Sequence, residues 1–274
     1  MSSVSSNEAD PGLIGRLKKY RRKKIKKYGK NLIYGLERTL AKASLIDNKP
    51  FAETTEFPHL LEIEKNWEKI LAEVRIILQQ REAIPGFQEI SPDQHKLATE
   101  GNWRTFFLYG FGIPFAKNAS QAPFTCELIA PTEKLQSAWF SILAPGYHIP
   151  HHRGVTKGII RYHLGLIIPK DYEKCRIRVG DEIRPWRQGK GFIIDDTFDH
   201  EVWNDTEDER VILIVDFDRP MKWWGRLINN SFLKLMRLTA FYQEPKKNMA
   251  IYEDRFEAAV KRANANMENL SEQD

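Results

Sequence analysis

PGYHIPHHRG (145–154), GIIRYHLGLIIP (158–169) and IIDDTFDHEVWN (193–204) hold five of the chain's seven histidines: His148, His151, His152, His163 and His200. Arg161, Asp195, Asp196 and Arg210 accompany them in segments otherwise made of apolar, β-branched and aromatic residues. Burying imidazoles, guanidinia or carboxylates without partners costs free energy, so such residues are poor material for a core. They read as the lining of a site. Side chains alternate across a strand, so Arg161 and His163 should share one face, as should His152 and Gly154 if that stretch is extended.

Outward from this stretch the period of two continues. WRTFFLYGFG, FTCELIA, SAWFSILAPG, CRIRVG, GFIIDD and RVILIVDF are short β-rich segments parted by Gly, Pro, Asn and Asp turns. That pattern predicts an all-β barrel or sandwich from Trp103 to Pro220. Before it, FPHLLEIEKNWEKILAEVRIILQQRE (57–82) keeps helical spacing and predicts one long helix in a lead-in segment, 47–102. After it, Trp224, Leu227, Ile228, Phe232, Leu235, Leu238 and Tyr242 predict a helix with one apolar stripe, in a C-terminal helical extension (221–274). From Lys246 that extension reads as a polar, charged tail. Its Trp223 and Trp224 beside Arg226 suit a lipid headgroup region as well as a cap on the barrel.

The formal charge of +5 on 274 residues conceals an asymmetry. Ten of the cations and no acid fall in RLKKYRRKKIKKYGK (16–30), and without that block the charge becomes −5. The N-terminal extension, 1–46, therefore reads as a basic amphipathic helix with Leu17, Tyr20, Tyr28, Leu32, Leu36 and Leu40 near helical spacing. It suits an anionic membrane surface or another acidic partner; a solvated arm is the alternative. The body itself offers no case for nucleic acid. No apolar run reaches the roughly 20 residues of a membrane span. MSSVSSNEADPG lacks the charged-then-apolar order of a secretory signal. Two cysteines, Cys126 and Cys175, build neither a disulfide framework nor a zinc site. The expectation is a cytoplasmic protein, peripheral at the inner face of a membrane if the basic helix binds lipid.

A divalent iron site needs neutral imidazoles with adjacent positions open. His152 and His200 suit it if each ends a strand at one barrel mouth. The usual carboxylate two residues after the first histidine is replaced by Gly154. Arg210, opening an apolar run, suits a planar carboxylate, with a surface pair to Glu207 or Glu209 as the plainer reading.

PGYHIPHHRG, RYHLGL, the WRQGK turn (186–190), DDTFDHEVWN and Arg210 together resemble the aspartyl/asparaginyl β-hydroxylases. The resemblance spans about Trp103 to Pro220. It implies a mainly β fold: a double-stranded β-helix, jelly-roll or cupin-like, with flanking N- and C-terminal helices. It also implies an iron(II)- and 2-oxoglutarate-dependent dioxygenase that hydroxylates a C–H bond with O2. That family binds iron through two histidines with glycine at the carboxylate's place, which Gly154 matches. The resemblance further implies that His152 and His200 hold the metal and that Asp196 holds water at the vacant position. Ser141 and Arg210 would take the distal carboxylate of 2-oxoglutarate, Arg161 and His163 its other end, and Trp103 would lie near the pocket. Asp or Asn side chains in peptides, or a lipid acyl chain, are the implied substrates. A non-catalytic cupin-like binding module is the competing reading.

Overall fold

The structure is a computed structural model and describes residues 33–99, 101–110 and 112–271. Helix α1 (33–43) precedes strand β1 (Phe51–Ala52), and α2 (Pro58–Lys65), α3 (Trp67–Leu78) and α4 (Phe87–Ile90) follow. Next come β2 (Trp103–Gly110), β3 (Ile113–Pro114), α5 (Ala116–Ala119) and α6 (Pro123–Ile129). The eight-strand core is β4 (Leu135–Leu143), β5 (His148–His152), β6 (Ile159–Ile167), β7 (Cys175–Val179), β8 (Glu182–Pro185), β9 (Gly191–Ile194), β10 (His200–Asn204) and β11 (Arg210–Asp218). Two helices, α7 (Trp223–Arg237) and α8 (Ala240–Ser271), end the described chain. The basic block 16–30 lies outside the described residues, and among those described no helix is long and apolar enough to cross a membrane.

The larger sheet runs β1-β9-β6-β11-β4-β2-β3 and the smaller β5-β10-β7-β8, with antiparallel neighbours throughout. From β4 to β11 the chain swings between the sheets, leaving β9-β6-β11-β4 facing β5-β10-β7-β8. This is the jelly-roll order of a double-stranded β-helix. Both faces of the larger sheet are covered, which is why β11 reads as a continuous apolar run. Val211, Leu213, Val215 and Phe217 pack outward with α2 and α3, while Ile212 and Ile214 point between the sheets. The inward set of β11 therefore also contains Arg210 and Asp216.

Three local expectations give way to tertiary contacts. FTCELIA is helical, not a strand: Pro123 opens α6, and the Glu73 carboxylate accepts the backbone N–H groups of Phe124 and Thr125 at 2.7 and 2.9 Å. A cap supplied from another helix outweighs β-branched composition. The long helix breaks at Asn66 (φ −99°, ψ 18°), whose amide donates to the Glu62 carbonyl at 2.9 Å. The polar tail is the long helix α8, anchored by buried Met249 and Phe256 seven residues apart.

The single stripe expected after Pro220 also divides. On α7, Gly225, Asn229 and Leu233 face the protein, whereas Leu227, Leu235 and, just past the helix end, Leu238 are exposed.

Candidate active site

His152 ends β5 and His200 begins β10, and their Cα positions are direct partners across the antiparallel ladder. The imidazole centroids are 4.1 Å apart and tilted by 52°. Each Nδ1 faces a backbone carbonyl two residues back, Pro150 at 2.9 Å and Phe198 at 3.0 Å. A carbonyl only accepts, so Nδ1 carries the proton and Nε2 keeps the free lone pair. Burial lowers the pKa of His152 and pulls His200 down to about 3, so both rings are neutral at pH 7.

Gly154 follows where β5 has ended, and its N–H donates to the Asp196 carbonyl at 2.7 Å. A Cβ at position 154 would lie 2.1 Å from Asp196 Oδ1. The space where a side chain at 154 would begin is thus filled by the Asp196 carboxyl. Burial pushes that carboxyl up to about 6 against the pull of Arg161, whose Nη2 is 3.4 Å away. Among the described residues no group of three His, Cys, Asp or Glu side chains is placed to hold a metal ion. Two neutral imidazoles presenting Nε2 beside a glycine that admits a second-sphere acid are a donor set suited to iron with open positions.

A second group of lining residues is cationic. Arg210 is 1% exposed and stacks over the Trp186 ring at 4.8 Å. Its Nη2 donates to Ser141 Oγ at 3.2 Å, which also accepts from Trp103 Nε1 at 3.0 Å. Its Nε has no partner, and burial lowers the guanidinium to about 10. Glu209, the plainer candidate for a pair, instead accepts from Arg81 Nε at 2.8 Å. A buried cation with an unpaired donor is a cradle for an anion. His163 lies nearby, 3% exposed, between Trp186 and Phe192, with both ring nitrogens unpartnered. Burial, then Arg161 and Arg210, hold it well below an ordinary imidazole value.

Arg161 faces the cavity with His163, as alternation requires, but its fork is engaged. Nε and Nη2 donate to the two oxygens of Asp216 at 2.7 and 3.0 Å. Burial opposes the charge on Arg161, and Asp216 with Asp196 more than offsets it. Asp216 was missed in the sequence, although it is the Cα partner of Arg161 and shares the inward face of β11 with Arg210. A carboxylate in RVILIVDFD at even spacing from Arg210 was the available signal.

All these residues line one cavity of about 270 Å³: His152, His200 and Asp196 as well as Arg210, Ser141 and His163. Trp103 also lines it and stacks on Phe87 at 4.1 Å. An apolar wall is added by Phe87, Ile90, Leu97, Phe107 and Met249. Tyr242, Pro245 and Met249 come from α8, so the segment read as a tail borders the site.

A family model described as aspartyl/asparaginyl beta-hydroxylase matches residues 64–220. An ornithine lipid ester-linked acyl 2-hydroxylase from Rhizobium tropici is 39% identical over 217 residues, covering 79% of this chain and 77% of that protein. An aspartyl/asparaginyl beta-hydroxylase from Mus musculus is 35% identical over 163 residues, 58% of this chain and 21% of the mouse protein. This chain thus spans about three-quarters of the first relative and a fifth of the second. Among solved structures, a Cupin 2 conserved barrel domain protein from Salinispora arenicola aligns with a TM-score of 0.30 and 13% identity, over 51% of this chain and 92% of that one.

Proposed function

We propose that this chain, which belongs to the aspartyl/asparaginyl β-hydroxylase family, is an iron(II)- and 2-oxoglutarate-dependent dioxygenase acting on a lipid acyl chain. The observation that carries the reading is one cavity with neutral His152 and His200 at one side and the unsatisfied Arg210 guanidinium at another. Iron held there, with 2-oxoglutarate and O2, would supply the oxidation that replaces a C–H hydrogen by hydroxyl, 2-oxoglutarate leaving as succinate and carbon dioxide.

The chain's own residues do the positioning. His152 and His200 would hold the metal through Nε2, their Nδ1–H groups being fixed by backbone carbonyls. Arg210 and Ser141 take a distal carboxylate, which would provide the missing counter-charge and an acceptor for Arg210 Nε. His163 supplies ring nitrogens for a polar cosubstrate group, and Trp103 keeps Ser141 oriented. Arg161, tied to Asp216, holds Asp196 beside Gly154, where that carboxyl would accept a hydrogen bond from water.

The apolar wall favours an acyl chain over a peptide Asp or Asn side chain. The lipid hydroxylase relative, matching well beyond the barrel, supports the same choice.

Anaerobic addition of iron(II) and then 2-oxoglutarate should give a weak visible absorption band that His200→Ala abolishes. Turnover of 2-oxoglutarate should rise with acylated amino-acid lipids and stay flat with Asp or Asn peptides. Stimulation by peptides alone would move the substrate reading to the mouse relative's chemistry. Absence of both iron binding and cosubstrate consumption would leave a binding module.

A further inference from the structure

Helix α7 presents to solvent a face that does nothing for the core. Trp223, Leu227, Leu235 and Leu238 are 72, 61, 64 and 79% exposed, at spacings that keep them along one side of a helix. Lys222, Arg226 and Lys234 are exposed beside them. No acid occurs between Asp218 and Glu244. A water-facing helix ordinarily mixes both signs of charge on its outer face and keeps large apolar side chains off it. Exposed Asn230 and Ser231 share this face, and its only charges are cations. An apolar stripe with cations and no acids is instead the pattern of a helix lying in a bilayer interface, its apolar side chains below the headgroups and its cations among them.

We propose that the outer face of α7 docks on an anionic lipid bilayer and holds the cavity mouth against it. A second copy of the chain fits this face poorly, because a twofold contact would set the same three cations against one another. The helix is also in the right place. Its buried Asn229 accepts from Thr156 Oγ1 at 3.0 Å, and Thr156 lines the cavity, as does Tyr242 just beyond the turn to α8. The inner side of α7 is fixed to α1 through Leu40, Ala43 and Met221, with Trp224 and Ile228 against them. The inference deepens the proposed function, resting on it for the acyl substrate that the bilayer would provide.

The test is co-sedimentation of the full-length protein with phosphatidylcholine vesicles and with vesicles of equal parts phosphatidylcholine and phosphatidylglycerol. It is run beside the double variant Leu227→Asp/Leu235→Asp and the milder Trp223→Ser. Both variants change exposed positions, and thermal unfolding confirms that they fold. The unaltered chain should sediment with the anionic vesicles and much less with the neutral ones. The double variant should lose about tenfold or more in anionic-vesicle affinity, and Trp223→Ser should fall between. Equal binding by all three proteins, equal binding to both vesicles, or no sedimentation of the unaltered chain would overturn the proposal. So would a dimer in solution that the double variant dissociates. Basal 2-oxoglutarate consumption, measured without vesicles, should be unchanged in both variants. Its absence from every protein would count against the proposed reaction while leaving the docking result to stand on its own.

Discussion

At the scale of single residues, Gly154 and Arg210 make the sharpest demands. Any side chain at 154 begins 2.1 Å from Asp196 Oδ1, a separation that real atoms do not adopt, so the carboxyl must move. Gly154→Ala is expected to fold, at a cost of about 1–3 kcal/mol for the overpacking, and to lose about tenfold or more in turnover by misplacing a group beside the proposed metal site. Gly154→Asp should fail to act as a third ligand for the same reason; restored or raised iron affinity in that variant, read by metal titration, would refute the steric argument. Arg210 is a buried cation whose Nε lacks an acceptor, a cost that the proposed carboxylate would offset. Arg210→Met should leave the metal-free, cosubstrate-free chain as stable or more stable, by about 1–3 kcal/mol. It should also abolish the rise in melting temperature with 2-oxoglutarate, which at a hundredfold excess over Kd corresponds to about 2.7 kcal/mol. A variant that melts lower and still responds to 2-oxoglutarate would show that the guanidinium holds structure rather than ligand. Burial pushes the Cys126 thiol up to about 12 and raises Cys175 as well. Both should resist neutral thiol reagents until the protein unfolds, since only the thiolate reacts. The folded chain holds the Cys126 proton beyond its ordinary 9.0, so that contribution to stability is complete below pH 9 and is lost as pH rises towards 12.

At the scale of elements, the strands carrying chemistry were easier to read than the helices supporting them. Short β-branched runs between turn residues mark β4, β6, β10 and β11 well because the period of two depends only on neighbouring positions. Helix α6 could not be read that way, since its N-terminal N–H groups are satisfied by Glu73 from α3. The helical extension over 221–274 was legible, but the packing of α8 beyond Lys246 was not, because Met249 and Phe256 are its few fully buried apolar anchors, spaced two turns apart in charged sequence. Its tie to the body is nonetheless strong. Phe256 is 2% exposed and meets Phe106 edge-to-face at 4.7 Å. Phe256→Ala should cost about 3–5 kcal/mol, enough to lower the melting temperature by several degrees in calorimetry, at about 2–4 °C per kcal/mol for a chain of this size. A loss under 1 kcal/mol would mean that α8 frays from the barrel at little cost, as a polar tail would. Because Tyr242 and Met249 wall the cavity, the same substitution should also weaken substrate turnover more than iron binding.

At the scale of the whole molecule, two apolar cores share the larger sheet, one beneath the helices and one between the sheets. That sharing gives β11 its unbroken apolar run and makes Arg210 and Asp216 conspicuous within it. The sequence by itself determined that a β domain with helical flanks surrounds a histidine- and arginine-lined site. It also determined which residues to suspect: His152, His200, Asp196, Arg210, Ser141, His163, Arg161 and Trp103 all line the one cavity. The histidines, arginines and Asp196 were legible because residue chemistry and strand period are local properties of the chain, whereas Ser141 and Trp103 were implied only by the family resemblance. Only the tertiary structure decided what each side chain meets. It pairs Cα of His152 with Cα of His200 across a ladder though 48 positions separate them, places the Asp196 carboxyl against Gly154, and engages the Arg161 fork with Asp216. It also leaves Arg210 Nε without an acceptor. Partners distant in sequence depend on sheet register and on the swing of the chain between the two sheets, and no local periodicity encodes either of those.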